Sequence, residues 1–270
     1  SMDSFKGTGV SPGIGLGKFH FVNNEIDLSI PSKISFKASQ QQLDLKYSNL
    51  IEKLKKDNRN SEAEVLDAYR LLINDPEISD MINENHDLKE IFDIFKNTSD
   101  EMMKFEDEYF KQRAEDIISI GKEIIFSMQN IVLDQKLDED VIIFAFDLTP
   151  NDTSSLDLTK VKGFVVTNSG PTSHAVIVAK NLGIPCVINF DISILDLSTE
   201  EQIVIDGDSG EIFINPDNKI LNRVEESMDR SDKLKELYNQ ESIDDLNLTL
   251  RANIGSNDEI QAFNDQLIKS

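Results

Sequence analysis

Tryptophan is missing from this chain of 270 residues, and cysteine occurs once, at Cys186. A single cysteine excludes a disulfide framework, and its apolar setting, Ile184-Pro185-Cys186-Val187-Ile188, reads as a small core residue. Basic residues are few: 27 Lys and Arg stand against 50 Asp and Glu, a formal charge of −23. A field of that sign repels nucleic acid and anionic membranes and draws basic partners. No apolar run approaches transmembrane length, and no signal-peptide pattern is seen. A reducing, cytoplasmic setting is therefore expected. The glycine-rich opening lacks both the Gly-x-Gly-x-x-Gly spacing and a Gly-Lys-Ser/Thr. Gly13-Ile14-Gly15-Leu16-Gly17 alternates, so it reads as a strand whose glycines permit close backbone approach, not as a phosphate loop. A Gly-x-Ser-x-Gly nucleophile elbow is absent as well.

The chain is long enough for two domains with separate cores. From about Lys37 to Asn130 glycine vanishes until Gly121, and apolar residues recur at helical spacing. Helices are expected over Ala38–Asp57, from Ser61 (an N-cap with Glu64 as capping-box partner) to Ile73, over Asp87–Phe105 with a break near Asn97-Thr98, and over Glu106–Met128. This is a bundle inserted between two β-rich segments. Strand character resumes at Val141–Phe146, and a short helix is expected over Thr153–Leu158. A strand over 162–167, a helix over 173–182 and a strand over 185–190 make a parallel βαβ-like unit. Two further strands, 203–205 and 211–214, are followed by a long charged helix over 217–245. Leu248–Ile254 reads as one more strand, which cannot bury its faces alone and so suggests the start of a third domain.

One stretch carries chemistry: Gly170-Pro171-Thr172-Ser173-His174. It lies between a predicted strand and a short apolar helix stopped by Gly183 and Pro185. Backbone N–H groups at a helix start lack partners, and the dipole there favours negative charge. A histidine so placed suits the carriage of a phosphoryl group. A lone histidine in such a unit is also compatible with a purely structural role. Ser173 beside it does not make a hydrolase, because adjacent helical residues point roughly 100° apart.

Several segments together resemble enzyme I, the phosphoenolpyruvate–protein phosphotransferase family of the bacterial sugar phosphotransferase system, over its N-terminal half. Ser11–Lys18 is similar to that family's opening strand. Tyr109–Ile117 with Ile120-Gly121-Lys122 is similar to the last long helix of its HPr-binding bundle. Leu148-Thr149-Pro150, Thr172-Ser173-His174, Ile212–Pro216 and Arg251–Gly255 follow in the family's order. The resemblance implies an α/β phosphohistidine (swivelling) domain with an inserted all-α helical bundle, a two-domain α+β chain. Residues 1–30 and 138–220 would form the phosphohistidine domain, 31–137 the HPr-binding bundle, 221–245 a linker helix, and 246–270 the truncated start of a C-terminal barrel.

The resemblance also implies the chemistry. His174 would take a phosphoryl group on Nε2 from phosphoenolpyruvate and pass it reversibly to a histidine of HPr for sugar uptake. Thr172, Ser173 and Lys180 would belong to the same site. Thr153 would orient the imidazole, although it reads equally as a helix cap. The HPr-facing surface would comprise Glu62, Glu64, Asp67, Leu71, Leu72, Asp75, Glu77, Ile78 and Asp80, with Arg113 nearby; a solvated acidic face is the plain alternative. The phosphoenolpyruvate and Mg²⁺ sites of the family, and its main dimer contact, lie in the C-terminal barrel. No metal site and a monomeric state are therefore expected for these residues, and a homodimer for the whole enzyme. Departures from the family occur at Ser169, where glycine is usual, at Pro171, where arginine or another long residue is usual, at Lys180, where arginine is common, and at Tyr69, where histidine is often found. A dikinase or synthase phosphohistidine domain, or a non-catalytic HPr-binding module, are the competing expectations.

Overall fold

The computed structural model describes the chain except residues 133–135, 171–172, 199–200 and 270, and describes no side chain beyond residue 251. Residues Ser1–Pro216 form one compact unit and Asp217–Ser270 a second. The first unit contains both the expected layers, each with its own apolar core.

Eight strands form one sheet: β1 (Asp3–Lys6), β2 (Thr8–Ser11), β3 (Ile14–Phe21), β4 (Val141–Ala145), β5 (Val161–Val166), β6 (Cys186–Ile188), β7 (Gln202–Asp206) and β8 (Glu211–Ile214). Their order is β1-β8-β7-β3-β4-β5-β6-β2. Successive strands β1 and β2 thus hold opposite ends of the order, joined by Gly7 alone. One residue cannot cross a flat sheet whose strands lie about 4.8 Å apart. The sheet therefore rolls until its two ends meet at Gly7, giving a closed, barrel-like layer. Gly7 N–H donates to the Gly210 carbonyl at 2.8 Å. A Cβ at Gly7 would lie 2.7 Å from the Ile188 carbonyl oxygen, and one at Gly9 would lie 2.2 Å from that of Gly207. Glycine is needed there because strands from both ends of the order converge on the same few backbone atoms.

Alternation along the strands separates two faces. Ile142, Phe144, Val165, Val187, Ile203, Ile205, Ile212 and Ile214 share one cluster. Ile143, Ala145, Phe164, Val166, Cys186 and Ile188 face the other way, into a cluster that includes helix α7 (His174–Leu182). Strands β3, β4, β5 and β6 run parallel in succession. Parallel neighbours need crossovers: α7 makes the one from β5 to β6, and the whole bundle is carried between β3 and β4.

The bundle consists of α1 (Phe36–Lys56), α2 (Asn60–Ile73), the single turn α3 (Pro76–Ser79), α4 (Leu88–Met103) and α5 (Glu108–Met128). Its core includes Leu43, Tyr47, Ile51, Leu66, Tyr69, Leu72, Ile91, Phe95, Ile117, Ile120 and Ile124. Ser35, Asp75, Asp87 and Asp107 cap helix starts by accepting backbone N–H bonds, and Asp87 does so in a capping box with Glu90. The expected cap at Ser61 is not used: α2 begins at Asn60, and its N-cap residue, Arg59, makes no side-chain cap bond. The expected break at Asn97-Thr98 is also absent. Thr98 Oγ1 donates to the Ile94 carbonyl and Ser99 Oγ to that of Ala114, so both polar groups are satisfied without leaving the helix.

The short helix after β4, α6, spans Pro150–Ser155, slightly upstream of its expected position. In the second unit, α8 runs from Asn218 to Lys269 as one helix of 52 residues. The strand expected at Leu248–Ile254 is therefore corrected to helix. A strand needs a neighbour for its N–H and C=O groups, and among the described residues none pairs with this segment. A helix satisfies the same groups internally. Among the described residues, no helix is long and apolar enough to cross a membrane.

Candidate functional site

The site is built on α6 and α7, which pack together at the ends of β4 and β5. Local chemistry starts α6. The Thr149 side chain accepts from Asp152 N–H at 3.2 Å, and the Asp152 carboxylate accepts from Thr149 N–H at 2.9 Å, a closed capping box with Pro150 in the first turn. Asn24 Nδ2 donates to the same carboxylate at 2.8 Å and to the Asp147 carbonyl at 3.0 Å. These bonds tie α6 to the chain just after β3. Capping thus falls to Thr149, which leaves Thr153 inside the helix and wholly buried.

Thr153 Oγ1 lies 2.8 Å from His174 Nε2 and 3.2 Å from the Pro150 carbonyl. One hydroxyl proton serves one acceptor at a time. When it goes to Nε2, the ring proton is on Nδ1 and the Nε2 lone pair is held by the hydroxyl. When it goes to Pro150, Nε2–H is the donor. In both arrangements Thr153 engages the nitrogen assigned to the chemistry, not the opposite one.

His174 is the first residue of α7. Ser173, its N-cap, makes no cap bond; its hydroxyl pairs with that of Ser169. Among the described residues, no side chain is bonded to the first-turn N–H groups as a cap. The helix ends at Gly183, whose φ of 68° is the left-handed C-cap that glycine adopts freely. The imidazole pKa is lowered to about 4, chiefly by burial; Glu62 raises it and Arg59 lowers it. The ring is therefore neutral at physiological pH, as a nucleophile must be.

Glu62 and Arg59 were placed elsewhere or missed by sequence reasoning. Arg59 Nε and Nη2 donate to the two carboxylate oxygens of Glu62, a forked ion pair at the start of α2. Glu62 is thus engaged beside His174 and is not part of an open acidic face. Arg59 escaped notice because Asn58-Arg59-Asn60 reads as a helix break. Lys180 lies in the last turn of α7, exposed, while His174 lies in the first. It is not among the charges that act on the imidazole, though it does act on Cys186. Thr172 lies outside the described residues.

On the bundle, Glu64, Asp67, Glu77 and Asp80 are exposed, and Leu71 is 72% exposed. Asp67, Leu71 and Asp75 line a groove of 680 Å³ with Asp44, Arg70, Asn74 and Pro76. Leu72 and Ile78 are corrected: at 3% and 4% exposure they belong to the bundle core and cannot form the apolar part of a docking face. Leu72 follows Tyr69 by three residues, which puts it on the inner stripe of α2. Arg113 sits on α5 beside Asp116, whose carboxyl is pushed up to about 6 by burial. Among the described residues, no group of three or more His, Cys, Asp or Glu could hold a metal ion.

Behind α6 lies a second polar cluster that sequence reasoning missed. Glu123 of α5 is buried, and its carboxyl is pushed up to about 7 by desolvation and by Asp152, against the pull of Lys46. The spacing Thr149-x-x-Asp152 was a visible capping-box signal for one member. Glu123 gave none, since it sits within an apolar helical stripe.

A closed sheet carrying a helical bundle between β3 and β4 defines a class. The chain belongs to the PEP-utilising enzymes: residues 6–113 match their N-terminal domain and residues 137–210 their mobile domain. Within that class it is similar to proteins named phosphoenolpyruvate-protein phosphotransferase. That of Priestia megaterium is 27% identical over 95% of this chain and 48% of its own length. Those of Listeria innocua and Mycoplasma capricolum are each 29% identical, over 95% and 96% of this chain and 49% of their own lengths. The chain thus spans about half the length of these relatives. A solution NMR structure of Enzyme I aligns over 84% of this chain and 99% of its own, with a TM-score of 0.67 and 26% identity. The N-terminal domain of the nitrogen Enzyme 1, at 16% identity and a TM-score of 0.52, shares the fold.

Proposed function

We propose that this chain is the phosphoryl-carrying part of a phosphoenolpyruvate–protein phosphotransferase, with His174 as the carrier. The observation that supports it is a neutral, half-buried imidazole at a helix start whose N-cap Ser173 makes no cap bond, with Nε2 held by Thr153. The Nε2 lone pair forms the N–P bond while the bond from phosphorus to the donor breaks, and the donor leaves with that electron pair. The new negative charge meets the first-turn N–H groups of α7. Thr153 must release Nε2 for attack, so its contact stores the ring in a ready but covered pose. Positioning and charge neutralisation supply the catalysis in such in-line transfers.

HPr is the proposed partner, with Leu71 as the apolar anchor and Glu64, Asp67, Glu77 and Asp80 as the acidic surround. The proposed donor, phosphoenolpyruvate, and its Mg²⁺ would be bound by the half of the relatives that this chain does not span. A cytoplasmic location, with dimerisation through that same half, completes the reading. Incubation with radiolabelled donors tests it. Phospho-HPr should label the chain with acid-labile, base-stable phosphate, and phosphoenolpyruvate alone should not. Labelling from phosphoenolpyruvate alone, or retained label in His174→Ala, would sink the reading.

A further inference from the structure

Phosphorylation would place about −1.5 to −2 charges on a ring that is mostly buried. Two charged groups among the described residues act on that ring, Arg59 and Glu62, and they are bound to each other by a fork. Both are largely buried, with 18% and 13% of their side chains exposed. Their positions are fixed by the fold. Arg59 is the N-cap residue of α2, and Glu62 follows in the first turn. Across from them lies α7: Asn58–Glu62 and Val178, Asn181 and Leu182 line one cavity of 370 Å³. Val178 is four residues beyond His174, so the cavity borders the same helix face as the imidazole.

We propose that Arg59 is the cation that receives the phosphoryl group on His174, and that Glu62 holds it in reserve until that charge arrives. The proposal rests on His174 being the carrier and goes beyond it by naming the neutralising residue. In the unmodified protein Glu62 satisfies the guanidinium, which would otherwise be a part-buried lone charge. Once the phosphoryl group is on the ring, a carboxylate and a phosphoryl dianion compete for one fork. The phosphoryl group offers more charge and three acceptor oxygens, and a guanidinium meets it bidentately. Arg59 turns to the phosphoryl group, and Glu62 is released toward the cavity. Glu62 therefore disfavours the loaded state as far as it retains Arg59, and it limits how tightly the group is held. A carrier must give its cargo up, so a competed clamp suits the task better than a free one.

Phosphoramidate tests this without any protein partner. The His174 Nε2 lone pair forms the N–P bond, the P–N bond of phosphoramidate breaks, and its already protonated amine leaves as ammonia with that electron pair. Label on the intact 270-residue chain is followed by ³¹P NMR, in wild type, Arg59→Gln, Arg59→Lys, Glu62→Gln and His174→Ala. Arg59→Gln should label roughly ten-fold more slowly, and the titration midpoint of its phosphoryl group should lie about one pH unit above that of wild type. Arg59→Lys should fall between, since it restores charge but not the fork. Glu62→Gln should shift both readouts the opposite way and slow the loss of label. An Arg59→Gln chain that labels and titrates like wild type overturns the clamp while leaving His174 as carrier. Wild type that takes no label beyond His174→Ala overturns the underlying reading and the clamp with it. Because Glu62→Gln keeps the side-chain shape, a wild-type response from it overturns the reserve role even if Arg59→Gln folds poorly.

Discussion

At the scale of single residues, the contact between Thr153 and His174 carries the most weight. Replacing Thr153 by valine keeps the shape and removes the hydroxyl, which leaves a half-buried ring nitrogen without its partner. Thr153→Val should lower stability by about 1–2 kcal/mol, read from urea unfolding, and should move the ¹⁵N resonances of the His174 ring. An unchanged midpoint with unchanged ring shifts would mean the bond does not form in solution. The same imidazole makes stability depend on pH. Its folded pKa, about 4, lies below the ordinary 6.5, so between those values the unfolded chain binds the proton and the folded chain does not. This histidine's contribution is present above 6.5 and is lost as pH falls toward 4. His174 was legible in the sequence because a strand, a small-residue loop and a stopped apolar helix bracket it. Arg59 was not, because nothing local says that a residue at a helix break will lie against a helix more than a hundred positions later.

At the scale of elements, helix α2 divides sharply into two faces. Leu71 and Leu72 are neighbours in sequence, yet one is 72% exposed and the other 3%. Leu72→Ala should cost about 2–4 kcal/mol of stability through the cavity it leaves. Leu71→Ala should leave the urea midpoint within about 0.5 kcal/mol while weakening the proposed binding of HPr in calorimetry. Equal effects on stability would contradict the two-faced helix. Helical spacing was enough to read the bundle, but the inner stripe cannot be told from an outer apolar anchor until the neighbouring helices are in place. Helices α1, α5 and α6 also meet around Glu123, whose folded pKa of about 7 lies above its ordinary 4.5. Between those values the folded chain holds a proton that the unfolded chain has lost, so this group makes stability fall as pH rises from 4.5 to 7. Glu123→Gln should remove that penalty: at pH 8 it should unfold at higher urea than wild type, by a margin on the order of 1–3 kcal/mol, and the gap should close by pH 5. A margin that persists at pH 5 would point to packing in place of titration. The helix α8 shows where local reading fails in the other direction. Leu248–Ile254 has strand-like composition, but a strand is a contract between two segments, and the helix is what one segment can do alone.

At the scale of the whole molecule, the charge of −23 sets how a basic partner arrives. Association with the proposed partner HPr should slow about ten-fold between 50 mM and 500 mM salt, while dissociation changes little, because long-range attraction is screened and close contacts are not. Stopped-flow mixing resolves the two rates, and a salt effect confined to dissociation would contradict steering. The layered arrangement was legible because the hydrophobic period switches between 2 and 3.6 along the chain. The closure of the sheet was not, since it depends on which strands pair across long separations. That closure has a consequence for how the chain is made. Strand β1 pairs with β8, with Asp3 opposite Ile214, and β2 pairs with β6, with Thr8 opposite Ile188. Within this unit the strands made earliest are therefore the ones that wait longest. During translation the N-terminal segment has no strand to join until nearly the whole first unit has emerged, while the bundle, built from contacts between neighbouring helices, can form early. The barrel is sealed by its oldest residues, and only after its newest strand is in hand.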